Sequence, residues 1–471
     1  MTHAIRFGTD GWRAVIGEEF TEHNVRRVSE ALGRIWADQR PGATVYVGYD
    51  TRRDADAFAR VAATALAHHG LHVVVSHRYL PTPALCWTVA QDPAAIGGVM
   101  LTASHNPAEY LGIKIRMADG GASPVEFTDV VEAQIAPEPL GGEGPFETAN
   151  LTGPYLVALT EQVDGSAIRA ANAERPLKVV VDPLHGAGRL YLAQTLTLLG
   201  CDVTEVHGEA DPTFGGLHPE PIPPHTNAAA RAVVDTGAAA AFVTDGDADR
   251  IGAIDESGEF VSPHRIIALV AQHLVEDRGL TGRIIKTLST SVTVDRLGAH
   301  LGCEVVTTPI GFKWIYREML AGNVLIGGEE SGGIGLPSHV LERDGLLMAL
   351  LLTEMMVHRG KTLRELVADL LAIVGDMPYR RVDLKLDPAI KDRFVEVANL
   401  LAPTEIAGRT VRGVVRDDGL KLLLDDDEWL LMRPSGTEPL VRVYAEANSP
   451  EALETLLAAG QSLVLDPTTA G

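Results

Sequence analysis

The sequence is poor in cysteine, in positive charge and in long apolar runs, and each shortage excludes something. Only three cysteines occur among 471 residues, Cys86, Cys201 and Cys303, far apart and without CxxC spacing. They form neither a disulfide framework nor a zinc-ligand set, and read as buried thiols in a reducing compartment. Lysine and arginine number 40 against 63 aspartates and glutamates, a formal net charge of −23. Such a surface repels nucleic-acid phosphates and anionic membranes, so neither is expected as a partner. An anionic substrate would need a local cluster of Arg and Lys set against the global charge. No stretch approaches the ~20 apolar residues of a membrane helix. The opening MTHAIRFGTDGWRA lacks an apolar signal core, which predicts a cytoplasmic protein.

Familiar nucleotide and acyl-transfer signatures are missing too. GKT at 360–362 lacks the upstream glycine of a P-loop, since Met355 stands there. HGAG at 185–188 has Tyr191 where a dinucleotide fingerprint needs its third glycine. No GxSxG elbow surrounds the serine discussed below.

Apolar residues make up 46% of the chain, enough for real cores, and the length suggests three or four domains. ATVYVGYD (43–50) is strand-like, DADAFARVAATALAHHG (54–70) has helical apolar spacing ending in glycine, and LHVVVSH (71–77) is again a strand. The rhythm restarts at LKVVVDP (177–183) and at GRIIKTLST (282–290). Three such units predict related α/β domains with parallel strands and helices on the faces. The last hundred residues alternate differently, from YRRVDLKL (379–386) onward, and predict a smaller C-terminal α+β domain with an antiparallel sheet. The Pro/Gly-rich PEPLGGEGP (137–145) marks a first boundary. The expected domains are 1–146, 147–257, 258–375 and 376–471.

Four motifs carry chemistry. TASHNP, Thr102 to Pro107, follows a strand-like run and leaves the Ser104 hydroxyl exposed beside His105; the bland alternative is a turn with a capping serine. DGDADR, Asp245 to Arg250, places three carboxylates at alternate positions of a tight turn, a set of hard oxygens suited to Mg²⁺. A solvated acidic turn is the plainer reading, and an EF-hand is argued against by Arg250 where the calcium loop requires glycine. GGEESGG, Gly327 to Gly333, sets two glutamates between glycine pairs, able to reach sugar hydroxyls or simply an acidic loop. RPSGTEP, Arg433 to Pro439, combines a guanidinium, two hydroxyls and an open glycine amide, a phosphate clamp or a polar hairpin.

In this order and spacing, together with RFGTDGWR at 6–13, the four motifs resemble the α-D-phosphohexomutase superfamily over essentially the whole chain. The resemblance implies four domains around a central cleft: three related α/β domains with mixed sheets, then the smaller fourth, each supplying one loop. It implies that Ser104 carries the transferred phosphoryl group and that Asp245, Asp247 and Asp249 hold Mg²⁺ together with the seryl phosphate. Glu329 and Ser331 would bind sugar hydroxyls, and Arg433, Ser435, Gly436 and Thr437 the non-reacting phosphate. Arg13, Arg250, Lys114 and Lys286 match basic positions near the reacting phosphate, and His105 and Lys114 match the candidates for proton transfer. Glucose 1,6-bisphosphate would prime the enzyme, as in relatives.

Two departures stand out. Leu111 replaces the Asn that many relatives carry before Gly-Ile-Lys, and the sugar loop lacks the His that ends it in many bifunctional phosphomannomutases and phosphoglucosamine mutases. The second departure favours a phosphoglucomutase over those alternatives. A phosphoserine-forming hydrolase and a non-catalytic sugar-phosphate binding protein are the remaining rival readings. Binding alone needs no nucleophile, which weighs against the last.

Overall fold

The computed structural model describes residues 5–8, 10–435 and 439–466. The chain forms two compact units, one running to Ile285 and including Gly311–Asp369, the other made of Lys286–Ile310 and the chain from Leu370 on.

The first unit opens with a six-stranded mixed sheet of order β1-β5-β4-β2-β3-β6: β1 (Trp12–Val15), β2 (Thr44–Tyr49), β3 (His72–Ser76), β4 (Ala95–Leu101), β5 (Tyr110–Met117) and β6 (Glu147–Ala149). Strands β2, β3, β4 and β6 run parallel, as the βαβ rhythm predicts, whereas β5 is antiparallel to both β4 and β1. The βαβ rhythm does not predict β5. It makes β4 and β5 into a hairpin whose connection is the TASHNP loop, so the serine sits at a turn instead of a crossover. Helices Glu22–Gln39 and Ala55–His68 cover the sheet through Val25, Leu32, Trp36, Ala59, Ala62 and Leu66, all buried.

A second mixed sheet has the order β11-β10-β9-β7-β8, with β7 (Lys178–Asp182), β8 (Asp202–Glu205), β9 (Ala240–Thr244), β10 (Ile251–Asp255) and β11 (Phe260–Val261). Here β7, β8 and β9 are parallel, and β9 and β10 form an antiparallel pair joined by the DGDADR turn. Strand β12 (Arg283–Thr287) carries the chain onward, and β13 (Val305–Thr308) lies in the second unit. Back in the first unit, β14 (Val324–Gly328) and β15 (Ile334–Gly335) form a short hairpin around the GEESGG turn. The helix Gly345–Arg359 is apolar on every side and buried from Gly345 to Met356, as expected for an internal helix. Asp344 caps it by accepting the Leu347 amide at 3.0 Å.

The C-terminal part of the second unit is an antiparallel sheet of order β16-β21-β20-β19-β18-β17: β16 (Tyr379–Lys385), β17 (Glu405–Ile406), β18 (Arg409–Val415), β19 (Leu420–Leu424), β20 (Trp429–Pro434) and β21 (Leu440–Glu446). Helices Pro388–Ala398 and Pro450–Leu465 bury Phe394, Leu456, Leu457 and Leu463 against Leu422, Leu430, Met432 and Val443.

None of the three cysteines is in a disulfide. Cys86 and Cys201 are buried as expected, but Cys303 is only half-buried, because it lies just past the end of helix Thr293–Leu301. Among the described residues no helix is long and apolar enough to cross a membrane.

Candidate active site

Ser104 lies in the β4–β5 connection with φ +51°, in the left-handed region that non-glycine residues rarely enter. Its amide donates to Thr102 Oγ1 at 2.9 Å and its hydroxyl donates to Asp245 Oδ2 at 2.7 Å. His105 Nδ1 stands 3.4 Å from the same hydroxyl oxygen.

The facing turn brings the three aspartates together. Buried oxygens of Asp245, Asp247 and Asp249 lie within 4.8 Å of one another. Gly246 allows the two loops to meet: a Cβ there would stand 2.4 Å from the Ser104 carbonyl oxygen. Asp245 Oδ1 accepts the Arg250 amide at 3.1 Å. Asp247 Oδ2 accepts from Thr82 Oγ1 at 2.5 Å and from Lys114 Nζ at 2.8 Å. Asp249 Oδ2 accepts from Lys114 Nζ at 2.9 Å and from Arg343 Nη2 at 2.8 Å. The other oxygens of Asp247 and Asp249 are buried and accept no hydrogen bond. Two orphaned carboxylate oxygens, with a third carboxylate beside them, are the donor set that a hard divalent cation fits.

Charge around the turn explains the protonation preferences. Burial, then repulsion from Asp249 and Asp247, holds the Asp245 carboxyl well above the usual carboxylate range. Burial acts the same way on Asp247, but Lys114 outweighs it and pulls its pKa down. Burial would discharge Lys114, yet Asp10, Asp247 and Asp249 hold it more firmly protonated than a free lysine. His105 goes the other way, because burial and the cations Arg250 and Arg13 push it well below the usual imidazole range. Arg13 donates from Nη1 to Asn106 Oδ1 at 2.6 Å, and Arg250 lies 3.9–4.0 Å from Asp245, Asp249 and Glu220.

Glu329 is the glutamate of the third motif that turns inward. It is buried, its Oε1 accepts the Gly311 amide at 3.0 Å, and its Oε2 lies 3.8 Å from Arg343 Nη1. Burial pushes its carboxyl up to about 7, against the pull of Arg343. Ser331 is half-buried in the same turn. The turn is tied to the aspartate turn through the backbone: Arg250 bridges Gly333, and the Ile251 amide donates to the Gly332 carbonyl at 3.0 Å.

The structure thus gathers Ser104, His105, Arg13, Lys114, Asp245, Asp247, Asp249 and Arg250 in the first unit, with Glu329 linked to them by Arg343. Lys286, Arg433 and Ser435 belong to the second unit. There Lys286 pairs with Asp295 and donates to the carbonyls of Thr290 and Ser291 at 3.3 and 3.1 Å. Arg433 Nε lies 2.9 Å from Asp418 Oδ1, and the Ser435 amide donates to the Leu440 carbonyl at 3.0 Å. Gly436 and Thr437 lie outside the described residues.

Several residues at the site escaped sequence reasoning. Asp10 accepts from Arg343 at 2.7 Å and from Arg116 at 3.2 Å, and forms an ion pair with Lys114 at 2.9 Å. Glu342 accepts from Arg343 at 3.0 Å and forms an ion pair with Arg116 at 2.8 Å. Asp50, Arg52 and Thr82 pack behind the serine and aspartate turns. One signal was available: Lys114 and Arg116 interrupt the apolar YLGIKIRM at alternate positions, which puts two cations on one buried face of a strand.

Comparison with known proteins agrees with this geometry. The chain matches, in order, four family models: Phosphoglucomutase/phosphomannomutase, alpha/beta/alpha domain I over residues 4–140, domain II over 153–258, domain III over 262–373, and the C-terminal domain over 389–459. A phosphoglucomutase/phosphomannomutase of Thermococcus kodakarensis is 33% identical over 97% of this chain and 98% of its own. A phosphoglucosamine mutase of Carboxydothermus hydrogenoformans is 30% identical over 96% and 97%. A solved chain from Thermus thermophilus, 39% identical, superposes with a TM-score of 0.88 over 98% of this chain and 100% of that one.

Proposed function

The chain belongs to the phosphoglucomutase/phosphomannomutase family and is a phosphohexomutase, an isomerase working by intramolecular phosphoryl transfer, and from that premise we propose that it interconverts glucose 1-phosphate and glucose 6-phosphate through a phosphorylated Ser104. The observation that carries this reading is the Ser104 hydroxyl held 2.7 Å from Asp245 beside two aspartates with orphaned oxygens. The absence of His from Gly327–Gly333 supports glucose. Relatives that bear phosphomannomutase and phosphoglucosamine mutase names keep mannose and glucosamine phosphates as the competing substrates.

In this reading phosphorylated Ser104 gives its phosphoryl group to the free hydroxyl of a hexose monophosphate. The resulting 1,6-bisphosphate turns around and returns its other phosphate to Ser104. Glucose 1,6-bisphosphate primes the unphosphorylated enzyme. Mg²⁺ held by Asp245, Asp247, Asp249 and the seryl phosphate would neutralise charge on the group in transfer. A phosphoserine adds about −1.5 to −2 to three carboxylates, so Arg250, Arg13 and Lys114 are needed as fixed cations around it. Burial and the cations around it favour the neutral form of His105, and its Nδ1 stands beside the nucleophilic oxygen, which fits it to take the proton from the sugar hydroxyl. Lys114, clamped by three carboxylates, serves as a cation. Glu329 and Ser331 accept and donate to sugar hydroxyls. Arg433, Ser435, Gly436 and Thr437 hold the phosphate not in transfer, with Lys286 as a further phosphate contact. The four working domains are taken as 1–146, 147–257, 258–375 and 376–471.

Coupled assays of glucose, mannose and glucosamine 1-phosphates on one preparation test the substrate. The highest kcat/KM is expected with glucose 1-phosphate; a higher value for either other sugar overturns that assignment. Release of inorganic phosphate in place of isomer would favour a hydrolase.

A further inference from the structure

We propose that Arg52 is a positioning residue that fixes the Ser104 loop in its reactive shape, a role that rests on Ser104 being the phosphoryl carrier. Arg52 follows β2, and its side chain is fully buried. A guanidinium has five N–H donors, and all five are used here. Nη2 donates to the carbonyls of Ser104 and Asn106, each at 2.7 Å. Nη1 donates to the carbonyls of Pro107 at 2.7 Å and Tyr110 at 2.9 Å. Nε donates to Asp50 Oδ2 at 3.2 Å. One planar fork therefore holds four carbonyls of a single seven-residue turn, Ser104 to Tyr110.

Asp50 completes the arrangement. It accepts the Arg52 amide at 2.9 Å and the Thr102 hydroxyl at 2.6 Å. That hydroxyl oxygen in turn accepts the Ser104 amide. Both backbone polar groups of Ser104 are thus held, its carbonyl by Arg52 and its amide by Thr102, and both holders end on Asp50. What stays available is Oγ, directed at Asp245. The Phe214 ring, 4.8 Å from the guanidinium carbon, covers one face of the fork. A left-handed serine would relax to an ordinary conformation in a free loop, and relaxation would swing Oγ away from the aspartates. Lysine cannot replace this fork, because it offers one point charge and three donors on a flexible stem.

The test compares wild type with Arg52→Lys and Thr102→Val. In wild type, phosphoserine formation from glucose 1,6-bisphosphate is followed by intact mass; failure there removes the phosphoserine reading itself. In Arg52→Lys, we expect kcat and the rate of phosphoserine formation to fall together by about 100-fold, with KM within about twofold, since misplacing a reacting atom by about 1 Å costs that much. Amide hydrogen exchange in 102–110 should quicken while exchange in 178–182 stays as in wild type. Thr102→Val, which keeps side-chain shape and removes both the acceptor for the Ser104 amide and the donor to Asp50, should lower kcat with KM unchanged and loosen the same segment. A folded Arg52→Lys protein with wild-type kcat, or with a raised KM and unaltered kcat, overturns the proposal. If Arg52→Lys does not fold, Thr102→Val decides: wild-type kcat with unaltered exchange in 102–110 overturns it.

Discussion

Ser104 and Asp245 stand 141 positions apart in the chain and share a hydrogen bond of 2.7 Å, with the serine hydroxyl as donor. The bond joins two hairpin turns of the same design, one between β4 and β5, the other between β9 and β10. Replacing Ser104 by alanine removes the nucleophilic oxygen and little else, because the backbone is held by Thr102 and Arg52. Turnover should fall more than about 1,000-fold with an unchanged melting curve. Wild-type turnover of the alanine protein in the presence of bisphosphate would exclude a phosphoserine route.

Asp247 offers one buried oxygen with no hydrogen-bond partner. Activity should require a divalent ion, Mg²⁺ being preferred because every donor is a hard oxygen. Dialysis against EDTA should abolish it and Mg²⁺ should restore it, whereas Asp247→Ala should stay inactive at any Mg²⁺ concentration. Full activity in excess EDTA would contradict the assignment.

Arg433 is expected to hold the phosphate that is not in transfer. Losing a charge-assisted hydrogen bond costs about 1.5–3 kcal/mol, or roughly 10- to 150-fold in affinity. Arg433→Ala should raise KM for hexose monophosphates by that factor and increase dependence on added glucose 1,6-bisphosphate, since the intermediate escapes before its second transfer. Steady-state kinetics with and without the bisphosphate measure both; no change in either would remove Arg433 from the site.

Glu329 has its carboxyl pushed up to about 7 by burial. A raised carboxyl gains a proton, and loses its charge, as pH falls through that value. If the ionised form binds the sugar hydroxyls, KM should climb about tenfold between about pH 8 and about pH 6. Glu329→Gln should have a high KM throughout, so the wild-type to variant ratio, which cancels the titration of the substrate phosphate, carries the test. A ratio flat with pH would deny Glu329 a charged role.

Gly246 sits where a Cβ would come within 2.4 Å of the Ser104 carbonyl oxygen. Gly246→Ala must therefore part the two turns. A stability loss of about 1–3 kcal/mol in denaturant unfolding is expected, accompanied by a larger loss of kcat than of affinity.

How much of this was readable beforehand depends on how local the signal is. Ser104 and the three aspartates announce themselves because each group lies within one short motif after a strand-like run. Arg52 and Arg343 are single charges in unremarkable stretches, and Asp10, although inside RFGTDGWR, carries no sign there of what it pairs with. Their meaning comes from distant partners, 52 positions away for Arg52 and Ser104 and 333 for Arg343 and Asp10, and no periodicity encodes such a pairing. The parallel strands β2, β3 and β7 were legible from their β-branched runs. The antiparallel β5 was not, since YLGIKIRM carries two charges that break the apolar pattern, and those charges are buried only because carboxylates from elsewhere meet them. The C-terminal sheet was legible as alternation, but the loop proposed to hold phosphate includes Gly436 and Thr437, which lie outside the described residues.

The backbone bridge between Arg250 and Gly333 sets a limit on how sugar preference can be redesigned. A Cβ at Gly332 would come within 2.4 Å of the Ile251 carbonyl oxygen, and one at Gly333 within 2.3 Å of the Arg343 side chain. Grafting a relative's whole loop would therefore shift the turn bearing Asp245, Asp247 and Asp249, and an exchange made for selectivity would be read out as lost turnover. Glu330 and Ser331 are the two half-buried positions of that turn, so a library aimed at mannose or glucosamine phosphates is best started at them.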